Sequence, residues 1–318
     1  MIKNFTITVP PGVGPVRLDK FLQSQFPDIP RSMIHKAIIT GLVLLGGRRV
    51  RKGDLLRSGD EVYVQELSSY EEVVVIPNPD IPLKIAYEDK EVIVVEKPAR
   101  IPTHPLEPEE KGTLTNALVA RYPELTMVGD SRLEPGLVHR LDNDTSGLLV
   151  VARTPRAYTV LKEEFRQEVL KKEYLALVLG EVDRGGKIDS YVGHHPESQK
   201  KMEVFKEKEQ IFKHKARRAL TFYEIEKRFQ GYTLVRVTIK TGVMHQIRVH
   251  FASIDHPLAG DRLYQRSRFR KADTLGLTRQ FLHSSRLGFY HPQDRRWLEF
   301  FSALPEDLAK ALSSLKPK

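Results

Sequence analysis

The chain has 318 residues, of which 51 are Lys or Arg and 41 are Asp or Glu, so its formal net charge is +10. This length predicts two or three domains, and a hydrophobic content of 40% is enough for a globular core, which excludes disorder of the whole chain. The absence of cysteine excludes disulfides, thiolate nucleophiles and Cys-ligated metal sites, and no apolar run reaches the roughly 18 residues that a membrane helix needs.

The N-terminal residues lack the apolar core of a secretory signal and contain an early Pro10-Pro11 pair. Together with the missing cysteines, this predicts a cytoplasmic protein. The basic excess favours a polyanionic partner such as a nucleic acid, although many basic proteins bind none. We expect the chain to act as a monomer and without a membrane partner.

Charge and proline content divide the chain into three parts. Residues 1–65 hold 10 basic and 5 acidic side chains, which is half of the net charge in a fifth of the sequence. Residues 66–80 hold four acidic side chains and no basic one, and closely spaced prolines follow, as is typical of a linker. We therefore predict a small domain over 1–65, an acidic linker over 66–80 and a larger domain over 81–318.

In the first domain, the apolar spacing from Leu18 to Phe26 predicts a helix that Pro27 ends. A second helix is predicted over 31–40, followed by a hairpin through Gly46-Gly47 and a short strand over 61–65. The remaining basic side chains fit either a solvated face or a polyanion site, and they include Arg17, Arg31, Lys36, Arg48, Arg49, Arg51 and Lys52.

The larger domain alternates strand-like and helical segments. Helices are predicted over 113–121, from Thr154-Pro155 onward, and over 305–315. Strands are predicted over 92–96, 148–153, 171–179, 219–228, 232–240, 281–290 and 296–302. Short connections between neighbouring strands predict an α+β fold with a mainly antiparallel sheet rather than a doubly wound one. No Gly-rich dinucleotide or Walker motif is present to support a nucleotide cofactor.

Two polar segments interrupt this pattern. The first, GLVHRLDNDTSGLLVVAR, places Asp142 in a charged loop that runs into an apolar strand, a place where reactive groups are often displayed, although a salt-bridged turn explains it equally well. The second, TGVMHQIRVHFASIDHPLAGDRLY, predicts a helix over 244–254 in which His245 and Arg248 share a face and Arg248 reaches a carboxylate of another segment. A metal site of His245 and His250 is disfavoured, because residues five apart diverge around a helix.

These segments resemble those of a known family. HRLDNDTSGLLV is similar to the signature of RluA-type pseudouridine synthases, and VVEKPARIPTHP, KKEYLALVLG, the His245 segment and RQFLHSSRLGFYHP follow in the family's order. Residues 17–64 resemble the S4 RNA-binding domain. An S4 domain ahead of such a catalytic domain is the layout of the members that act on ribosomal RNA.

The resemblance implies that the chain converts uridine in RNA into pseudouridine, without cofactor or metal. Large-subunit ribosomal RNA, free or in a pre-ribosomal particle, is the substrate that the layout favours. Transfer RNA or another RNA stays open as an alternative, and so does an RNA-binding ribosome-assembly factor without activity.

The resemblance also assigns roles to single residues. Asp142 matches the catalytic aspartate, acting as nucleophile or as base, and Arg248 is expected to pair with it. Tyr174 matches the tyrosine that stacks on the uracil, although a half-buried strand tyrosine is the alternative. Arg140 matches the residue that fills the gap left by the flipped base. The remaining expectations are RNA contact by Lys97 and His245 in the cleft, with a structural role equally open for Lys97, and by Arg17, Arg31, Lys36, Arg48 and Arg49 in the S4 domain.

One position departs from the family pattern. The family usually has Arg after Thr-Gly, whereas this chain has Val243. The substitution removes a cation near the expected cleft, but it leaves Asp142 and Arg248 in place.

Overall fold

The computed structural model describes residues 2–12, 14–27, 29, 31–67 and 74–318. They form two compact units that divide between Val74 and Val75. Among these residues, no helix is long and apolar enough to cross a membrane.

The N-terminal unit packs two helices, α1 (Leu18–Gln25) and α2 (Arg31–Thr40), on small sheets. Its strands are β1 (Ile2–Thr8), β2 (Val16–Arg17), β3 (Val43–Leu45), β4 (Arg48–Arg49), β5 (Leu55–Leu56) and β6 (Glu61–Leu67). The strand order is β1-β6-β3-β4, and β2 pairs with β5. Both predicted helices are present, and Gly46 and Gly47 connect β3 to β4 with positive φ angles, as the predicted hairpin requires. The strand β1 was not expected.

A buried carboxylate joins the two helices of this unit. Asp19 is fully buried and accepts hydrogen bonds from Arg17 at 3.0 Å and Arg31 at 3.1 Å, while His35 lies 3.3 Å away. Burial raises the pKa of Asp19, but these hydrogen bonds outweigh it and hold the pKa well below its usual range. Two of the arginines expected to contact RNA therefore also anchor the helix pair, while their side chains stay 43% and 59% exposed.

The larger unit is built on one ten-stranded sheet. Its strands are β7 (Lys84–Glu88), β8 (Val92–Lys97), β9 (Ser146–Ala152), β10 (Lys171–Leu179), β11 (Gly186–His195), β12 (Ser198–Phe205), β13 (Arg217–Phe229), β14 (Tyr232–Ile239), β15 (Leu282–Tyr290) and β16 (Trp297–Phe301). The order is β12-β11-β13-β14-β10-β15-β9-β8-β7, and β16 pairs with β15. All pairs are antiparallel except β9 with β15, which confirms the predicted mainly antiparallel α+β sheet.

Both faces of the central strands are covered. Along β8, Ile93 and Val95 belong to one apolar cluster while Val92 and Val94 belong to another on the opposite face, because successive side chains of a strand alternate. The first cluster includes side chains of α3 (Leu114–Arg121) and α6 (Gln246–Ser253), and the second those of α4 (Pro155–Arg166). The remaining helices are α5 (Lys208–Lys213), α7 (Ser267–Ala272) and α8 (Glu306–Ser313), with a 3-10 turn over Pro123–Met127.

The structure differs from the sequence expectations at the predicted linker. Glu66 and Leu67 continue β6, and Leu67 is buried in the N-terminal core. Val75 is buried in the core of the larger unit, and the amide of Asn78 donates to the carbonyl of Asn116. Residues 68–73 of the predicted linker lie outside the described residues.

The close parallel pairing of β9 with β15 depends on Gly147. Its φ is +115°, and a Cβ there would lie 2.2 Å from the carbonyl oxygen of Ser284. We expect Gly147→Ala to lower the free energy of unfolding by about 3 kcal/mol, because it combines backbone strain with a backbone clash. Gly231→Ala is the matched control, since φ is +77° there and the Cβ would meet open space, so about 1–2 kcal/mol is expected. Equal losses in urea titrations of the two variants would contradict this account.

Candidate active site

The loop that carries Asp142 is held by contacts to its backbone. The hydroxyl of Thr103 donates to the carbonyl of Leu141 at 2.7 Å, and Lys97 Nζ donates to the carbonyl of Asn143 at 2.9 Å. Arg279 Nη1 donates to the carbonyl of Asp144 at 3.1 Å. Three neighbouring carbonyls therefore have side-chain donors, and the loop is ordered before any substrate binds.

Lys97 corrects one expectation. Its side chain is 1% exposed, and Nζ donates to three backbone carbonyls, those of Pro98, Ile101 and Asn143, at 2.7–2.9 Å. Burial lowers the pKa of Lys97 to about 7, although Asp142 and Asp144 act in the opposite direction. An ammonium group with its three donors engaged in the interior has none left for RNA, so these contacts argue against the expected RNA contact by Lys97.

Asp142 lies against a buried cation. Its side chain is 19% exposed, and Oδ2 accepts a hydrogen bond from Arg248 Nη1 at 3.1 Å. The other edge of the guanidinium donates to Asp261, from Nε at 2.7 Å and Nη2 at 3.0 Å, and the Asp261 side chain is fully buried. Burial lowers the pKa of Arg248, but the hydrogen bonds and charges of both carboxylates raise it above its ordinary value. Arg248 is thus a fixed cation between a buried and a partly exposed carboxylate.

His245 also faces the carboxylate of Asp142, but its position is not the one that the predicted helix gives it. The helix begins at Gln246 rather than at Met244, and His245 precedes it with φ of 55°, in the left-handed region. His245 and Arg248 therefore do not share a helical face, yet His245 Nε2 lies 3.9 Å from Asp142 Oδ2. The other ring nitrogen lies 2.9 Å from the hydroxyl of Tyr264. Burial lowers the pKa of His245 despite the opposing charge of Asp142.

Tyr174 lies on β10, close to a β-bulge between Glu173 and Tyr174. Its side chain is 6% exposed and belongs to the apolar cluster that includes Leu141 and Ile247. Burial and the charge of Asp142 raise the pKa of Tyr174 above its usual value. The phenol therefore stays protonated at neutral pH, so it can donate a proton but not abstract one.

Arg140 is exposed two residues before Asp142. Its Nη2 lies 3.8 Å from the sulfur of Met244, and Nη1 lies 3.5 Å from His104 Nε2. The same His104 nitrogen lies 3.0 Å from Glu134. The contacts of the guanidinium are long, so a ligand could displace them at small cost.

The chain is similar to known proteins over most of its length. Residues 91–253 match the family model described as RNA pseudouridylate synthase, and residues 16–62 match the S4 domain. A protein of Xylella fastidiosa named ribosomal large subunit pseudouridine synthase D is 38% identical over 97% of this chain and 92% of its own length. An RNA pseudouridine synthase of Aquifex aeolicus is 39% identical over 94% of each chain.

The chain belongs to the RNA pseudouridine synthases. The predicted family, its isomerase activity on RNA and the S4 domain are therefore confirmed. A solved structure, human RNA pseudouridylate synthase domain containing 1, shares the fold with a TM-score of 0.58 at 24% identity, over 76% of this chain and 91% of that one.

In this pseudouridine synthase, several residues around Asp142 had no role in the sequence analysis. Asp261 completes the pairing of Arg248, Tyr264 contacts His245, and Thr103 and Arg279 hold the loop. A signal for Asp261 was available: a buried arginine needs more than one acceptor, and Asp261 follows in the same polar segment. Thr103 and Arg279 contact backbone atoms, for which the sequence carries no signal.

Four of the S4 residues that are expected to contact RNA lie on two elements, the strand β4 and the helix α2. Arg48 and Arg49 are exposed on β4, and the Arg49 guanidinium packs over Gly41, where a Cβ would lie 3.0 Å from Nε. Lys36 lies on α2 next to His35, on the helix that Arg31 begins. The hairpin and the end of α2 are thus adjacent within this unit.

His250 does not join His245 in a metal site. It is fully buried, with Nε2 2.9 Å from the hydroxyl of Ser190 and Nδ1 2.9 Å from that of Thr221. Within the described ranges, no group of three or more His, Cys, Asp or Glu side chains could hold a metal ion.

The burial of His250 predicts sensitivity to acid. Burial lowers its pKa to about 4, against about 6.5 in an unfolded chain, so between these values the unfolded state binds a proton that the folded state does not. Stability is then lost as the pH falls from 6.5 to 4, and His250 contributes about 3 kcal/mol of that loss. In His250→Gln, the unfolding free energy should fall less steeply over this range. An unchanged slope in His250→Gln would contradict the assignment.

Proposed function

We propose that the protein isomerises uridine in large-subunit ribosomal RNA and that Asp142 is the carboxylate that reacts. The observation that carries this proposal is the placement of Asp142: it is partly exposed on a loop fixed through its backbone, and its Oδ2 lies 3.1 Å from a guanidinium that a buried aspartate anchors. A carboxylate held in one position beside a permanent cation is prepared to attack or to accept a proton.

The reaction balances without a co-reactant. The bond from C1′ of the ribose to N1 of uracil breaks, the base turns, and a bond from C1′ to C5 forms. C5 loses its proton and N1 gains one, so the product is an isomer of the substrate. The carboxylate of Asp142 serves as nucleophile or as base. The phenol of Tyr174 has a raised pKa, so it can hold and donate a proton late in the sequence.

Arg140 is assigned to base flipping. Removing a uridine from its stack costs a few kcal/mol, and a planar guanidinium can replace part of the stacking. Arg140 is exposed beside Asp142 and makes long contacts to Met244 and His104, which leaves it free to enter the RNA. His245 is assigned to orienting Asp142 rather than to contacting RNA, because its ring lies between Asp142 and Tyr264.

The choice of ribosomal RNA rests on the named relatives and on the S4 unit. The name of the Xylella fastidiosa relative refers to the large ribosomal subunit, and the similarity extends over nearly the whole length of both chains. In the S4 unit, Arg48 and Arg49 supply exposed cations for phosphates, with Arg17 on β2 and Arg31 and Lys36 on α2. We further assign the protein a cytoplasmic location and a monomeric state.

The assignment of Asp142 is tested by Asp142→Asn. The amide nearly matches the carboxylate in shape but can act neither as nucleophile nor as base, so pseudouridine formation in unmodified large-subunit ribosomal RNA should fall by at least 1000-fold, with RNA affinity and unfolding free energy retained. Glu134→Gln, nearby but not in contact with Asp142, is the control. Turnover within tenfold of wild type in Asp142→Asn would refute the assignment. Modification of transfer RNA in preference to ribosomal RNA by the wild type would instead refute the substrate.

Arg248 and Val243 separate catalysis from RNA binding. Arg248→Ala removes the counter-charge of Asp142 and should lower the single-turnover rate by about 30- to 1000-fold, measured below the melting temperature because it also leaves Asp261 unpaired. Val243 packs half-buried against the cluster of Met202 and Val249, and Val243→Arg should tighten RNA binding by about 1 kcal/mol through a phosphate contact while leaving that rate unchanged. The opposite pattern would mean that the two roles are exchanged.

A further inference from the structure

The segment between β12 and β13 carries a concentrated positive charge that the active site does not use. Residues 206–218 contain six Lys and Arg and two Glu, a net charge of +4 in 13 residues. Arg218 pairs with Asp189 at 2.6 Å. The other five basic side chains form no ion pair with any described residue, and they are Lys206, Lys208, Lys213, Lys215 and Arg217.

The same segment exposes an aromatic ring. Phe212 lies on α5 and is 89% exposed, more than any other large apolar side chain that the structure describes. The helix α5 buries none of its side chains, so Phe212 has no part in the core. The exposed phenyl ring does not contribute to the core. An aromatic ring together with basic side chains that form no ion pair is typical of a surface that binds single-stranded nucleic acid.

The structure fixes α5 in place. The rings of Phe205, at the end of β12, and His214, just after α5, stack with centroids 4.8 Å apart and planes 6° apart. The amide of Ile211 donates to the carbonyl of Glu207, and that of Ala216 to the carbonyl of Ile211, each at 2.9 Å. The Phe212 ring is therefore presented from an ordered segment, which reduces the entropy lost when a ligand binds.

This segment begins near the active site. The amide of Met202, on β12, donates to the hydroxyl of Tyr264 at 2.8 Å, and the same hydroxyl lies 2.9 Å from His245, which faces Asp142. Met202 precedes Phe205 by three residues, about 10 Å along a strand. An RNA strand whose uridine is at Asp142 therefore reaches α5 within a few nucleotides.

We propose that α5 and the residues after it bind a single-stranded stretch of RNA that flanks the target uridine. An unpaired base stacks on Phe212, and the adjoining phosphates contact Lys213 and Lys215. This inference rests on the proposed RNA substrate and extends it, because it assigns a preference for unpaired nucleotides next to the modified position. Charge argues against a second copy of the chain as the occupant, since two copies with a net charge of +10 repel each other.

The test measures binding of a 20-nucleotide polyuridine oligomer and a 20-base-pair RNA duplex to the full chain. Phe212→Ala should raise the dissociation constant for the oligomer by about 5- to 100-fold, Phe212→Leu should lose nearly as much because it keeps apolar area but no ring, and Phe212→Trp should retain affinity. Duplex binding should change by less than twofold. In a Trp297→Phe background, the fluorescence of Phe212→Trp should be quenched by the oligomer.

Phe301→Ala is the control for stacking, and Lys310→Gln is the control for Lys213→Gln, which tests the phosphate contact. Phe301→Ala removes a phenyl ring that is 67% exposed on β16 beside Arg286, and it should bind the oligomer as the wild type does. Lys213→Gln should reduce the slope of log affinity against log salt by about 0.7, whereas Lys310→Gln, at a lysine paired with Glu306, should leave it unchanged.

Each outcome decides the proposal. Unchanged oligomer binding in Phe212→Ala overturns it, and so does full retention in Phe212→Leu, which would mark an apolar docking site for a protein. A wild-type dimer in sedimentation that Phe212→Ala dissociates would also overturn it. Failure of the proposed function is distinct, because it appears as missing pseudouridine formation by the wild type whatever the oligomer titrations give.

Discussion

The active site depends on one buried cation that must be paired. The guanidinium of Arg248 keeps its proton at any pH of interest, and an unpaired charge in the interior costs several kcal/mol. Asp261 engages two of its nitrogens and also accepts hydrogen bonds from the amides of Leu263 and Tyr264, so it cannot turn away. The remaining nitrogen then points in a single direction, and Asp142 lies there. The position of the Asp142 carboxylate is thus set by the pair of Arg248 and Asp261.

The loop of Asp142 is rigid for a related reason. Its carbonyls accept from Lys97 and Arg279, and both donors are held in place by further acceptors: Lys97 by two other carbonyls and Arg279 by the carboxylate of Asp307. Lys97 bears the desolvation cost, visible in its lowered pKa of about 7, and it is offset by three carbonyl contacts and the nearby charges of Asp142 and Asp144. Burial of these charges therefore holds the loop in one position, and an isomerase depends on the positions of its reacting groups.

The sequence predicted those elements whose apolar pattern is continuous. The strand over 171–179 and the helix over 31–40 agree with the structure to the residue, because buried positions dominate the strand and the buried Ile34, Ala37 and Ile38 follow the helical period. The strands β11 and β12 and the helix α5 were missed, since lysine, glutamate and histidine interrupt their apolar positions and α5 has no buried face. Elements at the edge of a sheet are defined by backbone pairing with a neighbour, and that pairing leaves little trace in composition.

In the site, residue type was predictable while local geometry was not. The helical pattern indicated that Arg248 reaches a carboxylate of another segment, the family resemblance implied that this is Asp142, and the structure shows that contact. The environment of His245 was missed because the spacing of apolar residues does not indicate backbone φ angles. His245 itself adopts a left-handed conformation before the helix, and its ring lies near Asp142. Lys97 was ambiguous because a lysine beside a catalytic loop can face either way, and only the position of the carbonyls decides.

The same geometry divides recognition from chemistry. In the proposed function, Asp142, Arg248 and Tyr174 act on one nucleotide and do not contact the neighbouring bases. The choice of uridine must therefore come from surfaces outside the pocket. Phosphate contacts by lysine and arginine supply affinity without sequence information, whereas a ring such as Phe212 distinguishes unpaired from paired bases, because a paired base already has its stacking partners. A chain with both kinds of surface can select a position by the shape of the RNA around it, without contacting the edge of any base other than the uracil.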